Sequence, residues 1–179
     1  AQSFDGGNDY VNVANSPSLN ITDAITIEAW VKETKRATQV KLVSRRNKNS
    51  FYFLGIDDGK PYGGIGNGTS FQVTGKIFTM PLNEWHHLVF VFVDAENKGY
   101  IYYDGILKET STLQYSIGNL SGIKLSIGAD HQGADRYFSG LIDEVRISNT
   151  ARSPEWIATE YANQNDPASF YIVGQEETI

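Results

Sequence analysis

The chain contains no cysteine, which excludes disulfide staples, thiolate nucleophiles and zinc–thiolate centres. That absence leaves the compartment open, since many exported bacterial proteins also lack cysteine. No apolar run is long enough to span a bilayer, so membrane insertion is not expected. The formal charge of −6 is thinly spread and includes no basic cluster, which argues against a nucleic-acid backbone or an anionic membrane as partner. The first residues lack the charged-then-apolar order of a secretory signal, and the chain reads as a mature protein or a module of a larger one. Pro/Ser-rich linkers and shifts in composition are missing too. Since 179 residues can enclose one sizeable core, residues 1–179 are read as a single domain.

Strand signals fill the chain instead. Ile25 to Val31 alternates apolar and polar, as does Ile123 to Ile127, the pattern of half-buried antiparallel strands. Asp104-Gly105 between Tyr100–Tyr103 and Ile106–Lys108 supplies the positive φ angles of a tight hairpin. Leu88 to Val93 is apolar throughout and β-rich, which predicts a central strand covered on both faces. Helical signals are few. The best is Ser153 to Tyr161, where serine can cap, Pro154 suits the first turn and Glu155 favours the positive end of the helix dipole. Many short strands, Gly/Asn/Asp turns and no fixed repeat indicate an all-β, two-sheet antiparallel jelly-roll β-sandwich with one short C-terminal helix.

Two aspartates share the parity of apolar neighbours: Asp9 with Val11 and Val13, and Asp143 with Leu141, Val145 and Ile147. Side chains of equal parity share a sheet face, so both carboxylates are expected to point inward, where they need a partner. One reading is a shared structural calcium ion, completed by the oxygen-bearing bend around Asp5, Gly7 and Asn8. The other is that both accept hydrogen bonds from turn amides or an arginine. In Trp85-His86-His87, adjacent strand residues face opposite ways and cannot jointly grip one ion. His87, in phase with Val89 and Val91, is expected to be a hydrogen-bonded core histidine.

The segment Gly128 to Tyr137 contains Asp130, His131, Gln132, Asp135, Arg136 and Tyr137, a mixture of polar groups for sugar hydroxyls and an aromatic ring for a pyranose C–H face. Loops collect such residues without binding anything. Asp57 to Gly64, with Tyr62, and on to Thr69 is expected to border the same rim, although tight turns explain its glycines equally well. Tyr52, Tyr62, Tyr102 and Tyr103 are candidates for a sheet-face platform, which Tyr102 and Tyr103 cannot both join.

The ordered set Phe4-Asp5-Gly6 with Asp9-Tyr10-Val11, Thr26 to Val31, Trp85-His86-His87-Leu88, Tyr103-Asp104-Gly105 and Phe138 to Ile147 resembles the laminin-G-like, or pentraxin-like, branch of the concanavalin A-like lectin/glucanase superfamily, from Ser3 to about Glu177. The tail from Asn149 to Tyr171 is similar to that of bacterial and archaeal members in multidomain surface proteins. The resemblance implies a sandwich with first and last strands adjacent, a structural calcium near Phe4-Asp5-Gly6, and a role in glycan or protein recognition. Glucanases of this fold carry paired acids on one strand in a Glu-x-Asp-x-x-Glu pattern, which this chain lacks. Its Asp143-Glu144 pair is adjacent and expected to face opposite ways, and no Gly-x-Ser-x-Gly elbow accompanies its three histidines. No catalytic residue is therefore expected. The expected function is carbohydrate binding by a secreted or cell-surface module, in targeting or cell adhesion, with a protein-contact or spacer module as the alternative.

Overall fold

A computed structural model describes residues 1–130, 133 and 135–167. Two antiparallel six-stranded sheets face each other. The first runs in the order β1 (Gln2–Asp5), β12 (Ser139–Ser148), β3 (Ala24–Glu33), β8 (His86–Val93), β9 (Lys98–Tyr103) and β10 (Ile106–Thr112). The second runs β2 (Val11–Val13), β11 (Leu125–Ile127), β4 (Val40–Asn47), β5 (Ser50–Asp57), β6 (Lys60–Asn67) and β7 (Phe71–Gly75). The single α-helix among the described residues, α1 (Pro154–Asn165), follows β12. The first and last strands are neighbours, with Gln2 opposite Ile142 and Asp5 opposite Ser139.

The alternation in β3 converts directly into burial: Ile25, Ile27, Ala29 and Val31 enter the core between the sheets. There they meet Leu88, Phe90 and Phe92 of β8 and Tyr52, Leu54 and Ile56 of β5. β8 lies inside its sheet and is covered on both faces, because Val89 and Val91 pack with Tyr102 under Ile157 of α1. Asp104 (φ 50°) and Gly105 (φ 74°) form the β9–β10 turn, and Asp58 (φ 51°) with Gly59 (φ 75°) repeats that geometry between β5 and β6. The positive φ at both turn positions is what Asp-Gly supplies with least strain.

The alternating run Ile123–Ile127 forms a shorter strand than its pattern suggests, beginning only at Leu125. The carbonyl of Ile123 accepts the Nε–H of Arg45 at 2.9 Å instead of joining a ladder. Arg45 is fully buried and has no carboxylate among its hydrogen-bond acceptors. It donates to the carbonyls of Leu19, Ile123 and Leu120 and to the side-chain oxygens of Asn15 and Asn20. This set of neutral oxygens ties the loops before β3 and β11 to β4.

Ser153 accepts the Trp156 amide proton and caps α1, with Pro154 in the first turn. The helix lies on the outer face of the first sheet, where Tyr161 stacks on Trp30 at 5.6 Å and Gln164 accepts from the Trp30 indole. Ile157 is its one fully buried residue. Truncation there leaves a cavity against Val89, Val91 and Tyr102, so Ile157→Ala is expected to cost about 2–4 kcal/mol, read as a lower urea midpoint at unchanged slope.

Candidate functional site

Among the described residues no helix lies over the outer face of the second sheet. β4 delivers Lys41, Ser44 and Arg46 to that face, although 41 and 44 differ in parity. Pairing between β4 and β5 shifts register between Lys41 and Val43, and Leu42 and Val43 both enter the core. This bulge advances the alternation by one residue, which places Lys41 and Arg46 on one side and Arg45 on the other. β5 adds Phe51 and Phe53, β6 adds Tyr62, and the edge strand β7 adds Phe71 and Val73.

The rings lie down on the sheet because glycines sit beneath them. A Cβ on Gly64 would stand 2.8 Å from the Phe53 ring and one on Gly66 would stand 2.8 Å from Phe51. Phe53 and Tyr62 meet edge-on at 4.8 Å, while Phe51 contacts Phe53 at 5.7 Å and Phe71 at 5.8 Å. Gly63 and Gly64 are thus strand residues, not turn residues: Gly63 faces Phe90 in the core and Gly64 lies under the aromatic layer. Tyr62, Phe51 and Phe53 are buried in this layer, whereas Phe71 is 57% exposed at its rim.

The cations stand among the rings. Lys41 Nζ lies 4.1 Å from the Phe53 centroid and 4.6 Å from that of Tyr62, and it donates to the Gln39 carbonyl (3.0 Å) and the Tyr62 hydroxyl. Burial pulls the Lys41 ammonium down to about 7; Asp130 opposes this, while Arg136, Arg46 and Lys76 add to it. Burial likewise pushes the Tyr62 phenol up, so it keeps its proton. Lys76 pairs with Asp57 at 2.6 Å, and the Gln39 amide donates to the same carboxylate.

Asp130 anchors the site. It is 1% exposed, and Ser44 Oγ donates to its Oδ1 at 2.5 Å while Arg46 and Arg136 each donate from Nη1 to its Oδ2 at 2.8 Å. Burial alone would raise its pKa, but the Ser44 hydrogen bond and the charges of Lys41 and Arg46 hold it below the ordinary value. Backbone bonds fasten the same segment to β4, from Lys41 N–H to the Arg136 carbonyl and from Gly128 N–H to the Leu42 carbonyl. The groove so formed, about 170 Å³, is lined by Lys41, Arg46, Phe51, Phe53, Tyr62, Phe71 and Arg136, with Gln39, Val73 and Lys76 at its edges.

Of the residues expected to bind ligand, the structure brings Tyr62, Asp130 and Arg136 together here. Asp135 is exposed and its carbonyl accepts the Asp130 amide proton, while Tyr137 donates its hydroxyl to the Gly133 carbonyl, so both shape the loop. His131 and Gln132 lie outside the described residues. Of the four tyrosines considered for a sheet-face platform, Tyr62 alone reaches this face: Tyr52 is in the core, Tyr102 lies beneath α1 and Tyr103 stacks on His86. Lys41, Arg46, Phe51, Phe53 and Phe71 are not singled out by the sequence. The available signal was β5, where Phe51 and Phe53 alternate with Tyr52, Leu54 and Ile56, making both faces apolar in a strand that has no helix to cover one of them.

The aspartate parity argument is corrected on both strands. Asp9, Val11 and Val13 are exposed, because β2 is an edge strand. The Asp5 amide donates to Asp9 Oδ2 at 3.0 Å, and the Gly7 and Asn8 amides donate to Asp5 Oδ1 at 2.7 and 3.3 Å. Asp143 points outward with its side chain 45% exposed. A register shift between Asp143 and Arg146, with Glu144 at φ 48°, lets Ile142 and then Val145 face the core. That bulge also turns Asp143 and Glu144 toward one cavity instead of opposite ways. Asp5 pairs with Ser139, four residues from Asp143, or roughly 13 Å along the strand. Asp5 and Asp143 thus stand apart along the paired strands, and among the described residues no cluster of three or more His, Asp or Glu side chains has metal-holding geometry. What remains near Phe4-Asp5-Gly6 is one exposed turn with the Asp5 and Asp9 carboxylates.

His86 and His87 face opposite ways. His86 Nδ1 lies 2.9 Å from Asp104 Oδ2, fixing the β9–β10 hairpin. His87 is buried in phase with Val89 and Val91, but beneath α1 and not between the sheets. Its Nε2 lies 3.3 Å from Glu28 Oε2 and its ring packs on Trp30 at 5.5 Å, while Nδ1 has no hydrogen-bond partner. A larger cavity of about 630 Å³ opens nearby between Trp30, Trp85, Asp143, Glu144 and the end of α1. Its charged rim is already paired: Arg146 binds both Glu144 and Glu160, the terminal amine of Ala1 binds Asp143, and Trp30 binds Gln164. The groove on the second sheet, whose charged groups still face solvent beside a ring layer, is the better candidate.

Comparison with known proteins agrees with this architecture. The family model of the concanavalin A-like lectin/glucanases superfamily matches residues 5–158, and the chain belongs to that superfamily. A search of curated proteins found no match. Among solved structures, the chain is similar to the binding domain of botulinum neurotoxin serotype G (TM-score 0.72, 13% identity, 90% of this chain and 42% of that one). It is also similar to domain 4 of AbnA, an extracellular arabinanase from Geobacillus stearothermophilus, in complex with arabinotriose (0.67, 17%, 89% and 86%). A third is the heptameric SAP-like pentraxin of Limulus polyphemus (0.65, 15%, 89% and 80%). The chain thus spans less than half of the toxin domain's length. Identities this low show the shared fold.

The folded Asp130 carboxyl titrates below an aspartate's ordinary 3.8. Its contribution to stability is therefore complete above that value and is lost as the pH falls through the folded one. Asp130→Asn is expected to lower stability by about 2–3 kcal/mol at neutral pH and to flatten the decline on the acid side, measured as urea midpoints along a descending pH series.

Proposed function

We propose that the chain is a non-catalytic carbohydrate-binding module of a secreted or cell-surface protein, and that the groove on the outer face of its second sheet holds the sugar. One observation carries this reading: an aromatic layer laid on glycines, bordered by Lys41, Arg46 and Arg136. Rings cover the C–H face of a pyranose while fixed polar groups bind its hydroxyls. The groove has room for one sugar ring, and a longer glycan would continue over Phe71. The family and the arabinotriose complex of the arabinanase domain support the class of ligand without fixing it. For the absence of catalysis, the support is that Glu144, the neighbour of Asp143 in the one adjacent acid pair, is exposed and already paired with Arg146 at 2.7 Å.

The exposed rim of Phe71 and Val73 favours a second reading, a protein-contact module using the same face. Among the described residues no helix is long and apolar enough to cross a membrane. Calcium belongs to the proposal only at the Asp5–Asp9 turn. Two carboxylates with the Asn8 amide and turn carbonyls would make an incomplete shell that water must finish.

Phe71→Ala is expected to weaken glycan binding by about tenfold while leaving the melting temperature within a degree or two, read on a glycan array and then by calorimetry. A blank array with folded protein, together with a partner protein captured through Phe71, establishes the second reading instead. For calcium, chelator should lower the melting temperature of the wild type and not of Asp9→Asn. An unchanged wild-type temperature removes the ion from the proposal.

A further inference from the structure

The charges at the groove do not balance. Among the described residues four cations, Lys41, Arg46, Lys76 and Arg136, line it, whereas the carboxylates they touch there are Asp57 and Asp130, in a chain whose overall charge is −6. Neither carboxylate is offered to a ligand. Asp130 lies beneath the arginines with both oxygens occupied, and Asp57 is held by Lys76 and the Gln39 amide. The arginines are differently placed. Their side chains are 27% and 31% exposed, and each spends only Nη1 on Asp130. Among the described residues Arg136 retains Nε and Nη2, and Arg46, whose Nε donates to the Lys48 carbonyl, retains Nη2. Their shared grip on one buried carboxylate holds two guanidinium groups side by side at the mouth, with no side-chain entropy left to lose on binding.

Resting on the carbohydrate reading above, we infer that the ligand is an acidic saccharide, whose carboxylate or sulfate is held by the free guanidinium nitrogens of Arg46 and Arg136 while its ring packs against the exposed face of Phe71. Planar guanidinium forks match these oxyanions, and the bonds are charge-assisted. A neutral sugar would leave the excess positive charge uncompensated.

Lys41 makes the interaction sensitive to pH. It faces the Tyr62 hydroxyl on β6, Asp57 on β5, Arg46 on its own strand, and Asp130, Arg136 and Lys76 from the flanking segments. Its ammonium titrates at about 7, so it is cationic below that value and neutral above it. An anion at the mouth favours the charged form, so binding takes up protons near neutrality and weakens as the pH rises.

Calorimetry on the full chain with lactose, 3′-sialyllactose and 3′-sulfolactose, plus trigalacturonate and its methyl ester, tests this. The acidic members are expected to bind at least about tenfold more tightly than their neutral counterparts, with affinity falling between about pH 6 and about pH 8. Comparing sialyllactose with sulfolactose tells carboxylate from sulfate. Arg136→Gln should remove the preference for acid, and Lys41→Met, which keeps the stem, should remove the pH dependence. Neutral sugars binding as well as acidic ones would overturn the charge assignment and leave the carbohydrate reading intact. Binding to none of them by folded protein would overturn both. Acidic preference unchanged in both variants, with their folding verified by melting temperature, would overturn the placement.

Discussion

A carboxylate removed from water must be compensated, and Asp130 meets that requirement by organising everything around it. Ser44 and Arg46 reach it from one strand and Arg136 from the loop before β12, so a single buried charge joins the loop to the sheet. The same contact orients two guanidinium groups and sets the electrostatic surroundings of Lys41. Without it, the arginines would be two mobile surface cations and the loop would lack its inner fastening. The carboxylate that builds the groove is also unavailable to a ligand, which is why the groove presents positive charge in an acidic protein.

The sandwich divides the work between its outer faces. On the first sheet, α1 closes the surface over Val89, Val91 and Tyr102, and the charged side chains around the larger cavity at its end are already paired. On the second sheet no helix arrives among the described residues. There the apolar side chains Phe51, Phe53 and Tyr62 find cover by lying flat over Gly64, Gly66 and one another. A ring layer stabilised within its own sheet is rigid before any ligand comes, and its edge, at Phe71, stays open. One face therefore serves stability and the other is free for recognition.

The sequence reading succeeds wherever simple alternation holds. β3, β8 and the Asp104-Gly105 hairpin are legible because their residues obey local rules of parity and φ preference. It fails where one residue is inserted. At Asp143-Glu144 a bulge turns outward a carboxylate that appears in phase with core residues. At Leu42-Val43 another bulge conceals that Lys41 and Arg46 share a face. Edge position misleads in the same manner at Asp9, because Val11 and Val13 alternate as a core strand would but sit where the sheet ends.

By itself, the sequence determined the class of fold, its strand-rich plan, the capped helix at Ser153 and the polar character of the loop carrying Asp130 and Arg136. These follow from interactions among residues close together along the chain. Only the tertiary structure decided which face of which sheet stays open, that Tyr62 and Arg136 meet beside Lys41, and that Asp130 is buried with its oxygens on Ser44, Arg46 and Arg136. Those outcomes depend on strand register, on two single-residue bulges and on where one helix lands, and each is fixed by the packing of segments distant in sequence.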